Sequence, residues 1–138
     1  MPTAAEVEFL ARPWIPLLAV EAPGRGPLCV PVWHALDAHG RPWFVTAKDS
    51  LKARLIQAAG RITLTAQRDH SPLAYVSVEG PALLETATYA EFLEMAIRYE
   101  GEADGKAYAA SMHADFEAGT RWRVTLVPER WSSYGLNA

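Results

Sequence analysis

The chain has 138 residues and a mass of 15.2 kDa, the size of one domain, so a single unit over 1–138 is expected. Half of the residues are hydrophobic, enough for a real core, and a net charge of −3 leaves no basic field for nucleic acid. A single cysteine, Cys29, excludes an internal disulfide and a cysteine-rich zinc site, and no apolar run is long enough to span a bilayer. Glu6 and Glu8 stand where a signal peptide would carry positive charge, so the expectation is a cytoplasmic protein without a membrane or nucleic-acid partner.

Thr3 and Glu6 have the spacing of a capping box and predict a short helix to about Ala11, with Phe9 and Leu10 turned to the core. Pro13 ends it. Trp14–Val20 reads as a first strand, irregular or at an edge because of Pro16. Glu21–Pro27 is a turn by composition. Its Gly24-Arg25-Gly26 lacks the further glycine and the following helix of a nucleotide-binding loop. Leu28–Leu36 predicts a second strand, interrupted by Pro31, which cannot donate to a ladder and so marks an edge, a bulge or an adjacent ligand. Asp37–Gly40 is a hairpin turn into Trp43-Phe44-Val45.

The stretch from Trp43 to Ala66 is the most informative. The short strand gives way to a polar hinge, Thr46–Ser50, then to a helical pattern over Leu51–Ala59 closed by Gly60. A second strand of this stretch puts Ile62, Leu64 and Ala66 on one face, with Thr63, Thr65 and Gln67 on the other. Asp49 or Ser50 is a natural N-cap, and free amides at a helix start attract anions. Lys48, Lys52 and Arg54 add three cations there, and Thr46 and Ser50 add hydroxyls, so a phosphate would meet every kind of donor it needs. The same residues also describe a solvated basic face on a small surface helix.

Beyond the Asp69–Pro72 turn, Tyr75–Leu84 is a strand with a bulge or bend at Gly80-Pro81. Thr88 and Glu91 form a second capping box before a helix whose stripe is Tyr89, Phe92, Ala96 and Tyr99. Gly101–Gly105 interrupts the pattern, and Lys106–Glu117 predicts another helix of mostly small residues. Trp122–Val127 is a final strand, and the tail Arg130–Tyr134 carries aromatic residues that suit a partner or a ligand. The sum is a mainly β protein with helices (α+β): six antiparallel strands closing a small barrel, with helices after the third and fifth.

Four scattered histidines lack the close spacing of a metal site. His34 follows Pro31-Val32-Trp33 and either points at a ligand or is an exposed strand residue; His39, His70 and His113 read as loop or helix-surface residues. No nucleophile-elbow sequence supports Ser-His-Asp catalysis. Of the five tryptophans, Trp33 and Trp131 are the two expected to touch a ligand or partner.

The ordered set Pro31-Val32-Trp33, Asp37–Gly40, Trp43-Phe44-Val45-Thr46, Ser50-Leu51-Lys52, Gly60–Thr65 and Val76–Gly80 resembles the pyridoxamine 5′-phosphate oxidase-like split-barrel superfamily of flavin-binding proteins, over roughly residues 5 to 130. The resemblance implies a six-stranded split barrel of the FMN-binding type, a homodimer with cofactor sites at the subunit interface, and hydride transfer between flavin and a small-molecule substrate. It implies that Thr46, Ser50 and Lys52, with Arg54 nearby, lie along the phosphate and ribityl chain, and that Val30, Pro31, Val32 and Trp33 border the isoalloxazine ring. Gln67 and Trp131 become candidates for contacts across the dimer. The sequence departs from the oxidases at Leu51, where they carry arginine, and at Leu28 and Cys29, near their strand-two phosphate arginine. A related branch of the fold binds an 8-hydroxy-5-deazaflavin coenzyme in place of FMN, and its members share the Pro-Val-Trp and Lys-x-Arg pattern. A non-enzymatic flavin carrier or sensor is the alternative from another class.

Overall fold

Met1–Leu136 are described in the computed structural model. The first helix, α1 (Ala4–Ala11), begins with the expected reciprocal cap: the Thr3 hydroxyl accepts from the Glu6 amide at 3.1 Å, and the Glu6 carboxylate accepts from the Thr3 amide at 2.8 Å. Strands β1 (Leu17–Val20), β2 (Leu28–Pro31), β3 (Ala35–Leu36) and β4 (Pro42–Ala47) follow, then α2 (Leu51–Ala59), β5 (Arg61–Arg68) and β6 (Ala74–Thr86). Three helices, α3 (Tyr89–Glu100), α4 (Glu102–Ser111) and α5 (His113–Glu117), precede β7 (Arg121–Leu126) and β8 (Arg130–Tyr134).

The strands form one antiparallel, curled sheet in the order β2-β1-β5-β6-β7-β4-β3, with β8 also on β6. The long β6 joins its two halves, pairing β5 and β8 through its first part and β7 through its second. From Ala82 opposite Leu126 to Glu79 opposite Arg130, β6 advances three residues while its partner advances four. That extra residue is a bulge, which turns the strand from one half of the sheet into the other. Gly80 is required opposite it, because a Cβ there would lie 1.8 Å from the Val127 carbonyl oxygen.

Among the described residues eight strands are therefore present where six were expected. One addition comes from Pro31: it ends β2, and Val32–His34 carry the chain across to β3 in the other half of the sheet. The second comes from the aromatic tail, which pairs with β6 from Tyr75 to Glu79. The helical region also differs. Gly101, at φ 90°, ends α3, but α4 starts at once and holds Gly105 in its interior; the break falls at Met112. Gly105 is tolerated there because α4 presses so closely on α3 that a Cβ would lie 2.6 Å from the Ile97 backbone.

Alternation decides which faces are buried. Leu18, Val20, Ile62, Leu64, Val76, Val78, Phe44 and Leu126 point into the barrel, where Leu10 of α1 and Ile56 of α2 meet them. On β4 the neighbours of Phe44, Trp43 and Val45, face the other way and are covered by Met95 and Tyr99 of α3. Arg123 locks this second layer: its guanidinium lies 4.3 Å over the Trp43 ring and 2.5 Å from the Glu91 carboxylate, which also closes the cap of α3. Among the described residues no helix is long and apolar enough to cross a membrane.

Candidate functional site

Ser50 caps α2, and the cap consumes the hydroxyls of the hinge. Its Oγ accepts from the Ala53 amide at 3.1 Å and donates to the Ala47 carbonyl at 2.7 Å, with the buried Thr46 Oγ1 at 3.3 Å. The amides of Leu51 and Lys52, in the first turn, have no acceptor within the helix. Gly60 ends α2 in the left-handed region at φ 71°.

The three cations of this stretch part company. Lys48 reaches back over the Trp122 ring at 4.2 Å and donates to Thr86 Oγ1 at 2.8 Å. Arg54 stays exposed at the hinge and donates through one nitrogen to the Asp49 carbonyl at 2.7 Å. Lys52 alone turns into a cleft. Among the described residues its ammonium meets no carboxylate, and partial burial pushes its pKa below the ordinary lysine value.

That cleft has a volume of about 220 Å³ and is lined by Pro31, Val32, Trp33, Val45, Lys52, Phe92, Met95 and Tyr108. Its walls are held by aromatic packing. The Trp33 ring stacks on Tyr99 at 5.3 Å and 4°, and meets the edge of Tyr108 at 6.0 Å. Tyr108 leans on Phe92 at 5.5 Å, and Phe92 stacks on Phe116 at 4.8 Å. One wall thus comes from the β2–β3 crossing, the other from the α3–α4 hairpin, and the cation from α2.

His34 takes neither of the expected positions. It is fully buried, with Nε2 at 2.5 Å from the Leu10 carbonyl and Nδ1 at 2.9 Å from the Tyr99 hydroxyl. Burial is the main cause that pushes its pKa down to about 4, and the nearby Arg98 charge adds to it. The His34 amide donates to the Tyr99 hydroxyl at 3.1 Å, which itself donates to the Trp14 carbonyl at 2.5 Å. Arg98 spans the same junction, donating to the carbonyls of His34 at 2.9 Å and Ala11 at 2.6 Å. His34 is a tie between α1, the crossing and α3. By fixing Tyr99 it sets the plane on which Trp33 stacks.

The structure therefore brings Pro31, Val32, Trp33 and Lys52 together. Thr46, Ser50 and Arg54 remain at the hinge beside them, outside the cleft lining. Val30 turns inward from β2 and packs on the barrel core. Gln67 is exposed on β5 opposite Tyr75, and Trp131 lies on β8 opposite Val78 with its ring against the core. Neither Gln67 nor Trp131 lines the cleft. Phe92, Met95 and Tyr108 are lining residues that the sequence did not reveal as such. Phe92 read as part of a core stripe, and the one available signal for Tyr108 was a large aromatic in a helix of small residues.

A larger groove of about 460 Å³ lies between the Glu21–Pro27 turn and the strands, against Arg61, Thr63 and Glu79. Its lining has no aromatic residue, and Arg61 and Glu79 are paired with Glu129 at 2.6 Å and Arg130 at 3.5 Å. Among the described residues no group of three or more His, Cys, Asp or Glu is placed to hold a metal ion. The smaller cleft has the more distinctive chemistry: flat aromatic walls and one cation without a counterion suit a planar, conjugated group that carries or acquires negative charge.

No protein-family model matches the sequence, and comparison with curated proteins gave no match. Solved structures do match over nearly the whole chain. A conserved hypothetical protein of Mycobacterium tuberculosis is 23% identical with a TM-score of 0.76, covering 99% of this chain and 86% of that one. An F420 reductase is 22% identical with a TM-score of 0.73, covering 96% of this chain and 98% of that one. A protein of Listeria innocua described as a candidate pyridoxamine 5′-phosphate oxidase is 13% identical with a TM-score of 0.59, over 94% and 92% of the two chains. The curled antiparallel sheet, the bulged β6 junction and these likenesses agree, and the chain has the fold of the pyridoxamine 5′-phosphate oxidase-like split barrels.

Proposed function

We propose that the chain binds a flavin-type cofactor and catalyses hydride transfer between its ring and a small-molecule substrate. The observation that carries this reading is the cleft itself, in which Trp33, Phe92 and Tyr108 line one space with Lys52, which among the described residues meets no carboxylate. Such a cofactor supplies the hydride chemistry, so the protein has to supply position, electrostatics and exclusion of water. Trp33, locked on Tyr99, provides a flat rigid surface. Pro31 presents a backbone with no ladder donor, and Phe92 and Met95 keep the floor of the cleft apolar. At the hinge, the Leu51 and Lys52 amides and the exposed guanidinium of Arg54 are suited to a phosphate group.

FMN is the first cofactor to test. The likeness to an F420 reductase along nearly the full length of both chains supports a deazaflavin coenzyme as the second. We further propose that the protein acts as a homodimer built on the outer face of the sheet. There Pro31, Leu17, Thr65, Ser77 and Ser132 stand in one uncharged row across five strands. Tyr75 and Tyr134, stacked at 6.2 Å, extend this face.

The test is a visible absorption spectrum of the purified protein, with and without added FMN or deazaflavin coenzyme, followed by gel filtration. Coloured protein eluting at dimer size and retaining the chromophore is the expected result. Reduction by a nicotinamide donor with turnover on an acceptor separates an enzyme from a carrier. Protein that retains neither chromophore refutes the reading.

A further inference from the structure

We propose that Arg98 and Tyr99, consecutive on α3, form a clamp that positions Trp33 for the ligand of the cleft, with the Tyr99 hydroxyl as the positioning group. The hold on Trp33 is independent of the cofactor reading, whereas its effect on a bound ring rests on that reading. Trp33 needs such a device because of where it stands. β2 ends at Pro31 and β3 begins at Ala35, so Val32–His34 belong to no ladder. Among the described residues the crossing is held instead by tertiary bonds. The Val32 amide donates to the Pro16 carbonyl at 3.0 Å, the His34 amide donates to the Tyr99 hydroxyl at 3.1 Å, and the His34 carbonyl accepts from Arg98 Nε at 2.9 Å. Two neighbouring side chains of α3 thus grip both backbone groups of the residue that follows Trp33.

Stacking alone would leave this wall loose. The Trp33 and Tyr99 rings are parallel to within 4° at 5.3 Å, but apolar contact is non-directional and resists sliding only weakly. The hydroxyl supplies the direction. With His34 Nε2 donating to the Leu10 carbonyl, the neutral ring leaves Nδ1 as an acceptor 2.9 Å from the Tyr99 oxygen; the Trp14 carbonyl is a second acceptor at 2.5 Å. One hydroxyl hydrogen serves both, while the oxygen receives the His34 amide. Arg98 closes the clamp from the side: it donates to the Ala11 carbonyl at 2.6 Å and lies 5.6 Å from the centre of the Tyr99 ring. Tyr99 does not line the cleft, so it acts through Trp33. A wall fixed in advance spares the ligand the free energy of ordering it.

The experiment compares wild type with Tyr99→Phe, which keeps the ring and removes the hydroxyl, and with Arg98→Lys, which keeps the charge but not the planar fork that reaches two carbonyls. The proteins are labelled with 5-fluorotryptophan, and the Trp33 signal is assigned through Trp33→Phe. Fluorine spectra are recorded without ligand, urea unfolding gives stability, and stopped-flow fluorescence gives the association and release rates of FMN and of the deazaflavin coenzyme. In wild type the Trp33 signal should be single and sharp. Tyr99→Phe is expected to shift and broaden it while Trp122 and Trp131 keep theirs. The same variant should bind the cofactor roughly three- to tenfold more weakly, mainly through faster release. Arg98→Lys is expected to move the signal and the release rate the same way by less, and it decides the matter if Tyr99→Phe does not fold.

Loss of stability with the Trp33 signal and the release rate unchanged overturns the proposal and leaves the junction a structural tie. A change in one of these two readouts without the other, in protein that binds a cofactor, overturns it as well. If wild type binds neither cofactor but the variants still move the Trp33 signal, the hold on Trp33 stands and the cofactor reading falls instead.

Discussion

His34 shows how far a residue's chemistry depends on what surrounds it. Its ring is enclosed between the Leu10 carbonyl and the Tyr99 hydroxyl, and burial holds it neutral, with a pKa of about 4. In the unfolded chain the same ring titrates near 6.5. The folded value lies below the unfolded one, so the unfolded state binds the extra proton first. Stability is full above about pH 6.5 and is lost as the pH falls toward 4. The gap corresponds to at most about 3 kcal/mol. Urea unfolding measured from pH 7.5 to 4.5 should show this slope, and His34→Gln should flatten it while lowering stability at pH 7.5. An unchanged slope would mean that His34 is not the group responsible. At the acid end, Glu6 and Glu91 add a loss of the same sign. The Thr3 amide is the main cause holding Glu6 low; Glu91 is pushed up by burial, but the Thr88 amide and Arg123 together outweigh that.

At the level of elements, the α3–α4 hairpin is the part whose placement forms the cleft. Its two helices meet at Gly105, where a Cβ would lie 2.6 Å from both Ile97 N and Ile97 Cα, and backbone cannot give way cheaply. Tyr108 follows one turn later on α4 and forms a wall against Trp33. Gly105→Ala should therefore destabilise the fold by about 1–3 kcal/mol. It should also displace Tyr108 from Trp33, seen as altered tryptophan fluorescence and weakened flavin binding. Tyr108→Ala provides the contrast: 42% of that residue is exposed, so removing its ring should cost little stability and still weaken binding. A Gly105→Ala variant with native fluorescence and affinity would show that the cleft does not depend on this close approach.

On the scale of the whole molecule, the curled sheet uses its two sides differently. The inner side closes the barrel on Leu64, Val76 and Phe44, and the helices cover the outer side of β4 and β7. Among the described residues, the outer side of β1, β5, β6 and β8 carries the exposed side chains. Along that side Thr65 Oγ1 donates to Ser77 Oγ at 2.9 Å, and Leu17, Tyr75 and Tyr134 remain exposed. A homodimer built there should be broken by Ser77→Arg, which adds charge in the middle of the face without touching the core. Gel filtration or sedimentation should then report a folded monomer. A dimer that persists in this variant places the interface elsewhere.

Local chemistry was enough to determine several features from the sequence alone. The caps at Thr3 and Thr88 need only residues three positions apart, the stop at Gly60 needs only a glycine where φ is positive, and the hinge at Thr46–Ser50 follows from its polarity between an apolar strand and a helical pattern. The faces of β5 and β6 follow from alternation, and Gly80-Pro81 announced a turn in the strand. What the sequence did not disclose is what depends on distant partners. Trp43–Phe44–Val45 is apolar without alternation because both of its sides are covered, which no window of sequence reveals. The tail became β8 only because β7 covers the second edge of β6 from Ala82 onward and leaves that edge open from Tyr75 to Glu79. His34 became a structural tie because α1 and α3 converge on it from 24 and 65 residues away. Lys48, Lys52 and Arg54 looked equivalent along the chain, and tertiary packing separated them: Trp122 holds the first, the Asp49 carbonyl holds the third, and the aromatic cleft leaves the second unpaired. Short-range sterics and hydrogen bonding are written in neighbouring residues, whereas burial and charge environment arise only when remote segments meet.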